Sequence, residues 1–175
     1  MSPSRSRREA THEEARALVN PLRMRILRLC LDEALTNKEL AVRLDKDPGT
    51  LLYHVRMLVD TGFLAPEPVR SGAHGALEKP YRATGKSWTV EVLEDEGGMQ
   101  RAMVDAFRAE LAETPSPSTV LLSRLGLRLR PKDKRELRAR LEALIEDFSH
   151  RSDPAGEPWA LFVGFHRRAA NERGG

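Results

Sequence analysis

Two predicted helices follow one another with a turn of only about two residues between them. The stretch 36–44 opens on a Thr-x-x-Glu capping box and continues with apolar residues at helical spacing. The stretch 47–62 opens on Asp-Pro, a typical helix start, and ends on a glycine. Since only Asp45 and Lys46 separate them, the helices are expected to cross steeply, as in helix-turn-helix units. The residues expected to face inward are Leu40, Ala41, Leu44, Leu51, Leu52, Val55, Leu58 and Val59.

A further helix precedes this pair and a hairpin follows it. Asn20 and Pro21 repeat the cap-plus-proline start, and apolar residues then recur at helical spacing as far as about Leu31. After the glycine at 62, two short apolar runs flank a Gly-rich turn at 71–75, which predicts a hairpin. The prolines within these runs are compatible with edge strands. Helices followed by a hairpin that closes near Arg82 give the order of a winged helix.

The size and composition of the chain limit the classes of protein to which it can belong. Its 175 residues allow one compact domain or two small ones, and are too few for a barrel enzyme. No apolar run approaches a membrane span and no signal peptide is recognisable, so a soluble protein is expected. The single cysteine, Cys30, excludes an internal disulfide and favours a reducing, cytoplasmic setting. No catalytic or phosphate-binding motif occurs, so we expect neither an enzyme nor a cofactor.

Changes in composition predict the domain organisation. A disordered basic tail is expected at 1–10, a winged helix-turn-helix domain at 11–88 and a connecting or dimerisation helix at 97–113. The remaining range, 118–168, is expected to form a small α/β lobe. The predicted fold class is therefore α+β, with an N-terminal winged helix-turn-helix domain, a connecting helix and a C-terminal strand-helix-strand lobe.

The basic excess lies in the N-terminal half of the chain. The net charge is +3 overall, and residues 1–86 hold 15 Lys and Arg against 11 Asp and Glu. The outer face of the helix at 47–62 carries hydrogen-bonding side chains near its start. Thr50, Tyr53 and Arg56 could there reach base edges or phosphates in a major groove. The alternative, equally open from spacing alone, is an ordinary solvated helix face.

The pattern resembles a known family over about residues 14–86. The runs NPLRMRIL, TNKELA, TLLYHVRMLVDTGFL and EKPYRAT are similar, in order and spacing, to the winged helix of ArsR-type bacterial transcriptional regulators. The resemblance implies a homodimer that binds a palindromic operator in double-stranded DNA, with the helix at 47–62 as the reading helix and the hairpin as the wing. The residues predicted to bind DNA are Lys38, Gly49, Thr50, Tyr53, His54, Arg56, Arg70, His74 and Lys79.

One of these residues and several others have alternative interpretations. His54 could contact a DNA phosphate or pack between helices. Metal-sensing members of the family have cysteines in the helix before the reading helix, and 36–44 has none. No metal site is therefore predicted, and Cys30 is interpreted as a buried structural thiol. A site built between subunits from His12, His150, His166, Asp147 and Asp153 remains the alternative.

The C-terminal half predicts strand, helix and strand in turn. Leucines alternate with polar residues at 124–130, an apolar stripe follows Pro131, and apolar residues alternate again at 159–165. This lobe is expected to serve as a dimerisation platform or as a sensor for an unknown small-molecule effector. Its aromatic residues, Phe148, Trp159, Phe162 and Phe165, are interpreted as core rather than as a pocket lining. A winged-helix module that binds another protein, without DNA, is the alternative function.

Overall fold

The computed structural model describes residues 7–72, 75–93, 97–114, 121, 123–153 and 155–167. The chain divides into two compact units, Met1–Pro115 and Ser116–Gly175. No helix in the described part of the chain is long and apolar enough to cross a lipid bilayer.

The first unit combines five helices with short strands, which confirms the predicted α+β winged helix. The helices are α1 His12–Leu18, α2 Pro21–Asp32, α3 Asn37–Leu44, α4 Pro48–Asp60 and α5 Gly98–Glu113. The strands are β1 Arg8–Glu9, β2 Leu35–Thr36, β3 Leu64–Pro66, β4 Arg70–Ser71, β5 Leu77–Glu78, β6 Pro80–Ala83 and β7 Val90–Glu91, and a 3₁₀ turn spans Lys86–Trp88.

The predicted helix starts are confirmed by side-chain caps. The Asn20 side chain accepts a hydrogen bond from the backbone N–H of Arg23 at 3.1 Å. Thr36 and Glu39 form the reciprocal capping box of α3. Asp45 ends α3 in the left-handed region, at φ 49°, and so turns the chain toward α4 within a few residues.

The sheet is larger than the predicted hairpin. β6 pairs with β3, as the hairpin pattern predicted, and also with β2, so the order is β2-β6-β3. Leu35 lies opposite Tyr81 in this added pairing. A strand of two residues gives no periodicity in the sequence, so β2 could be recognised only once the fold placed it beside β6. β4 and β5 form the separate tip of the wing.

The core of the first unit lies between α1–α4 and the sheet. Phe63, which lies between α4 and β3, is among the largest fully buried side chains. Two residues predicted to face inward, Leu52 and Val59, are only half-buried. The buried stripe of α4 covers a narrower part of the helix surface than its apolar residues do together. The buried apolar residues of α2–α4 are Ile26, Leu27, Cys30, Leu40, Ala41, Leu44, Leu51, Val55 and Leu58.

The N-terminal tail is shorter than predicted. Arg8 and Glu9 pair in parallel with β7 at Val90 and Glu91. The prediction of disorder is therefore wrong for these two residues, which are held by the backbone pairing with β7 and by the ion pair of Arg8 with Glu14. Residues 1–6 lie outside the described part of the chain.

Helix α5 packs against α2 through a face that carries small side chains. Ala102 and Ala106 are buried, whereas Met103 and Val104 are each 43% exposed. Small alanines let the two helix backbones approach closely. An ion pair between Arg25 and Glu113 closes the far end of the contact.

The second unit contains one helix, α6 Pro131–His150, among its described residues. Residues 123–130 and 157–167 form no strand, so the predicted strand-helix-strand order is wrong for this part of the fold. Alternation gives a strand its faces but not its hydrogen bonds, which require a second extended segment alongside. Phe148, Trp159 and Phe165 are exposed rather than core.

Candidate nucleic-acid interface

Helix α4 has one apolar face and one polar face, and the polar face is open. Leu51, Val55 and Leu58 are fully buried. Gly49, Thr50, Tyr53 and Arg56 are all exposed. The buried residues recur at intervals of three and four, so the exposed ones form a continuous strip on the opposite side of the helix.

The start of α4 is fixed by its own cap. The Asp47 carboxylate accepts a hydrogen bond from the Thr50 backbone N–H at 2.9 Å. A Cβ at Gly49 would lie 2.9 Å from the same carboxylate, so a side chain there would crowd the cap. Gly49, predicted to allow close approach to DNA, therefore has a local reason to be glycine. The cap also places one carboxylate beside the positive end of the helix.

The exposed side chains of α4 are not neutralised by neighbours. Arg56 makes no ion pair or hydrogen bond with any residue that the structure describes. Tyr53 is 54% exposed and stands edge-on to His54, with ring centroids 5.3 Å apart. This strip therefore presents one cation, one phenol and one hydroxyl to a partner.

His54 is turned inward, toward a buried arginine. Arg23 is only 6% exposed, and its Nη1 lies 3.1 Å from His54 Nδ1. The same guanidinium donates to the backbone carbonyls of Ala17 at 2.5 Å and Arg16 at 2.7 Å. Arg23 thus joins the end of α1 to the middle of α4, and it holds His54 in the helix-packing position that was one of its two predicted roles.

The arginine also determines the protonation of His54. A guanidinium has donors only, so His54 Nδ1 must accept and its proton lies on Nε2. Burial, and then the charge of Arg23, lower the pKa of His54. The imidazole is therefore neutral near pH 7, with an Nε2–H donor that has no protein partner among the described residues.

In the wing, Arg70 is bound to the protein rather than open. Its Nη2 donates to both carboxylate oxygens of Glu39 on α3, at 2.6 and 2.7 Å, and its Nε lies 3.7 Å from Glu78. The Thr36 hydrogen bonds, together with Arg70, hold the pKa of Glu39 below its usual value. Two carboxylates thus balance the charge of Arg70, which ties the wing to α3.

The other predicted contacts lie on separate elements. Lys38 is exposed on α3. Lys79 is exposed beside the wing, with Nζ 6.0 Å from the centre of the Tyr81 ring. His74, predicted at the wing tip, lies outside the described residues. α4, α3 and the wing therefore carry the predicted cations.

A buried carboxylate that the sequence analysis missed connects the two ends of the winged helix. The Glu14 side chain is 7% exposed. It receives two hydrogen bonds from Arg8, at 2.7 and 2.6 Å, and an ion pair from Lys86 at 2.7 Å. The bonds from Arg8, with those from Lys86 and the Thr11 N–H, hold the pKa of Glu14 far below its usual range. The Thr11-x-x-Glu14 capping box was the available signal.

Lys86 extends this connection to the end of α4. Its Nζ donates to the Thr61 carbonyl at 2.6 Å and lies 5.2 Å from the centre of the Phe63 ring. A cation near the last carbonyls of a helix is favourable. Both ends of α4 are therefore fixed, by Asp47 and by Lys86.

The cysteine and the histidines form no metal cluster in the described part of the chain. Cys30 is fully buried on the apolar side of α2. Burial raises the pKa of its thiol to about 12, so it is protonated near neutral pH.

Comparison with known proteins gave one family match. Residues 18–67 match the model of a helix-turn-helix domain. The chain therefore carries a helix-turn-helix domain, which spans α2, α3, α4 and β3 and is typical of DNA-binding transcription regulators.

No curated protein gave a significant match. Among solved structures, the chain is similar to reduced HlyU from Vibrio cholerae N16961, with 22% sequence identity and a TM-score of 0.31. The similarity covers 51% of this chain and 77% of that protein.

Proposed function

We propose that the protein is a sequence-specific transcriptional regulator of the ArsR type that binds a palindromic operator as a homodimer. The exposed strip of α4 carries the proposal. Thr50, Tyr53 and Arg56 lie on one open face of a helix that Asp47 and Lys86 fix at its two ends. The helix-turn-helix match supports double-stranded DNA as the partner.

In this proposal α4 lies in the major groove. Its 13 residues are about 20 Å long at about 1.5 Å per residue, enough to cross a groove about 12 Å wide. Arg56 is the residue best suited to a guanine or a phosphate, and Tyr53 and Thr50 contact neighbouring groups. The neutral His54 donates one hydrogen bond from Nε2. Two such helices in a dimer read half-sites about 34 Å apart.

The wing and α3 supply contacts that do not depend on sequence. Lys79 and Lys38 are exposed cations suited to phosphates. Arg70 is given a different role, because Glu39 and Glu78 already balance its charge. In this proposal Arg70 holds the wing in position, so that neighbouring side chains of the wing reach the DNA backbone.

The test is binding to a duplex selected from a random library by the wild-type protein, measured by fluorescence anisotropy. Arg56→Ala and Tyr53→Ala should each weaken binding by about 1–3 kcal/mol if they contact bases. Arg108→Ala, which removes an exposed arginine of α5, is the matched control and should change binding little. Unchanged affinity in both α4 variants, with folding intact, would contradict the proposed reading face.

A second measurement separates phosphate contacts from base contacts. Lys79→Ala should reduce the slope of log K against log salt by about 1, without changing which sequences are preferred. Wild-type protein that shows no salt-dependent retention of random duplex at low salt would instead favour a protein-binding module. That result would overturn the proposal.

A further inference from the structure

Helix α6 carries an apolar stripe that the described residues of its own unit leave largely exposed. None of its twenty residues is buried. Leu144 is 52% exposed and Phe148 is 57% exposed, while Leu137, Leu141 and Ile145 are only half-buried. A helix about 30 Å long at about 1.5 Å per residue, with this composition, is stable when its stripe packs against something.

The stripe has the spacing of a helix-pairing seam. Leu137, Leu141, Leu144 and Phe148 are separated by four, three and four residues. This is the alternation of the a and d positions in a heptad repeat, which favours packing against another helix rather than against a sheet. The narrow seam therefore indicates a second helix as the partner.

The charges along α6 determine which helix fits. Its first half, 131–140, carries five Lys and Arg against two acidic residues. Its second half, 141–150, carries three acidic residues and neither Lys nor Arg. Two copies of this helix repel when they lie parallel and attract when they lie antiparallel, because each basic half then faces an acidic half.

We propose that α6 pairs with α6 of a second copy of this chain, antiparallel and about a two-fold axis between Leu141 and Leu144. The inference rests on the homodimer in the proposed function and assigns it an interface. In this register Leu141 packs against Leu144 of the second copy. Leu137 packs against Phe148 of the second copy, so the seam closes on itself as an isologous contact.

Two symmetric charged pairs flank one side of this seam. Arg140 and Asp147 occupy positions next to the seam, and the antiparallel register brings Arg140 of one copy beside Asp147 of the other. Within one chain Arg140 pairs with Glu136 and Asp147 pairs with Arg151, both at 2.5 Å. These are exposed i,i+4 pairs of small energy, so they can be shared or exchanged when the dimer forms.

The experiment is a charge exchange in the full-length chain, with the dimer dissociation constant measured by analytical ultracentrifugation. Arg140→Glu and Asp147→Arg should each weaken the dimer about tenfold or more, because each places like charges together at two symmetric positions. The double variant should return to within about threefold of the wild type. Within one chain the new repulsions with Glu136 and Arg151 add in the double variant, so recovery reports the contact between copies.

A matched control and two further outcomes complete the test. Arg135→Glu makes the same charge change on the outer side of α6 and should leave the dissociation constant within about twofold. A dimer unaffected by either single exchange, or not recovered in the double variant, overturns the α6 interface while the homodimer stands. A chain that stays monomeric at 100 μM overturns both. Binding of the selected duplex is measured separately, so loss of DNA binding with the expected exchange pattern contradicts only the proposed function.

Circular dichroism at 222 nm checks that each variant keeps its helices. If a single variant loses helical signal, Arg140→Gln and Asp147→Asn replace it. These uncharged variants remove attraction without adding repulsion, and each should weaken the dimer by about threefold. No change in either would overturn the proposed pairing of Arg140 with Asp147.

Discussion

The two units of this chain both contain helices with a regular apolar stripe, but they differ in whether that stripe is buried. In the first unit, helical stripes on α2, α3 and α4 converge on one core, and Leu51, Val55 and Leu58 are fully buried. In the second, α6 has a stripe as regular as theirs and buries none of its residues. A pattern shows which face is apolar, but the burial of that face depends on what the fold brings to it.

The largest expected effect is the loss of stability when a buried leucine of the first unit is shortened to alanine, compared with the same change in the second unit. Leu58→Ala should destabilise the first unit by about 3 kcal/mol, since it removes fully buried atoms, whereas Leu144→Ala should change that unit by less than about 0.5 kcal/mol. The two tryptophans, Trp88 and Trp159, lie one in each unit. Each variant is made in a chain that also carries Trp159→Phe, so Trp88 is the only tryptophan left. Its fluorescence during urea unfolding then monitors the first unit alone.

This comparison would fail if Leu144→Ala lowered the urea midpoint of the Trp88 transition as much as Leu58→Ala did. The two units would then unfold as one, and the exposure of α6 would not reflect its independence. Repeating the measurement at two protein concentrations separates that outcome from an effect on dimerisation, which depends on concentration.

A smaller effect is expected at the carboxylate that connects the ends of the winged helix. Glu14→Gln should cost about 2 kcal/mol at pH 7, because it removes charged hydrogen bonds to Arg8 and Lys86. The pKa of Glu14 is lower in the folded protein than its unfolded value of about 4.5, so its contribution is full above that pH and declines as pH falls below it. Urea unfolding at pH 7 and pH 3.5 should show the difference between variant and wild type shrinking in acid. An equal difference at both pH values would contradict the ion-pair explanation.

A loss of stability smaller than that of Glu14→Gln is expected at Arg23. Arg23→Lys should cost about 1 kcal/mol, since a lysine keeps the charge but cannot donate to two carbonyls and to His54 together. Nitrogen-15 NMR of the histidines should show His54 in the Nε2–H form in the wild type and as a mixture of tautomers in the variant. A wild-type spectrum that places the His54 proton on Nδ1 would show that Arg23 does not donate a hydrogen bond to His54. His12 serves as an internal reference.

Local rules were enough for the helix starts of the first unit. Asn20, Thr36 and Asp47 cap α2, α3 and α4 through contacts to residues three positions along the chain. Such contacts depend on the neighbouring sequence alone. The same was true of the exposed strip of α4, because helical spacing fixes which residues oppose the buried stripe.

The roles of individual polar side chains required the fold. Arg70 was predicted to bind DNA, but Glu39 lies 31 positions away and becomes its neighbour only when the wing folds against α3. His54 and Arg23 are equally distant in sequence. Partners so far apart leave no periodicity, so neither pair could be recognised in advance.

The sequence by itself determined helices α2, α3 and α4 of the winged domain, their order and the outward residues Thr50, Tyr53 and Arg56 of α4, because caps and stripes act over a few residues. Only the tertiary structure decided that Glu14 joins Arg8 to Lys86, that Arg23 orients His54, and that the alternating segments beside α6 form no strand. Strand pairing and buried ion pairs need two distant segments to meet. A linear pattern specifies what each segment offers, and the folded chain specifies which segments are brought together.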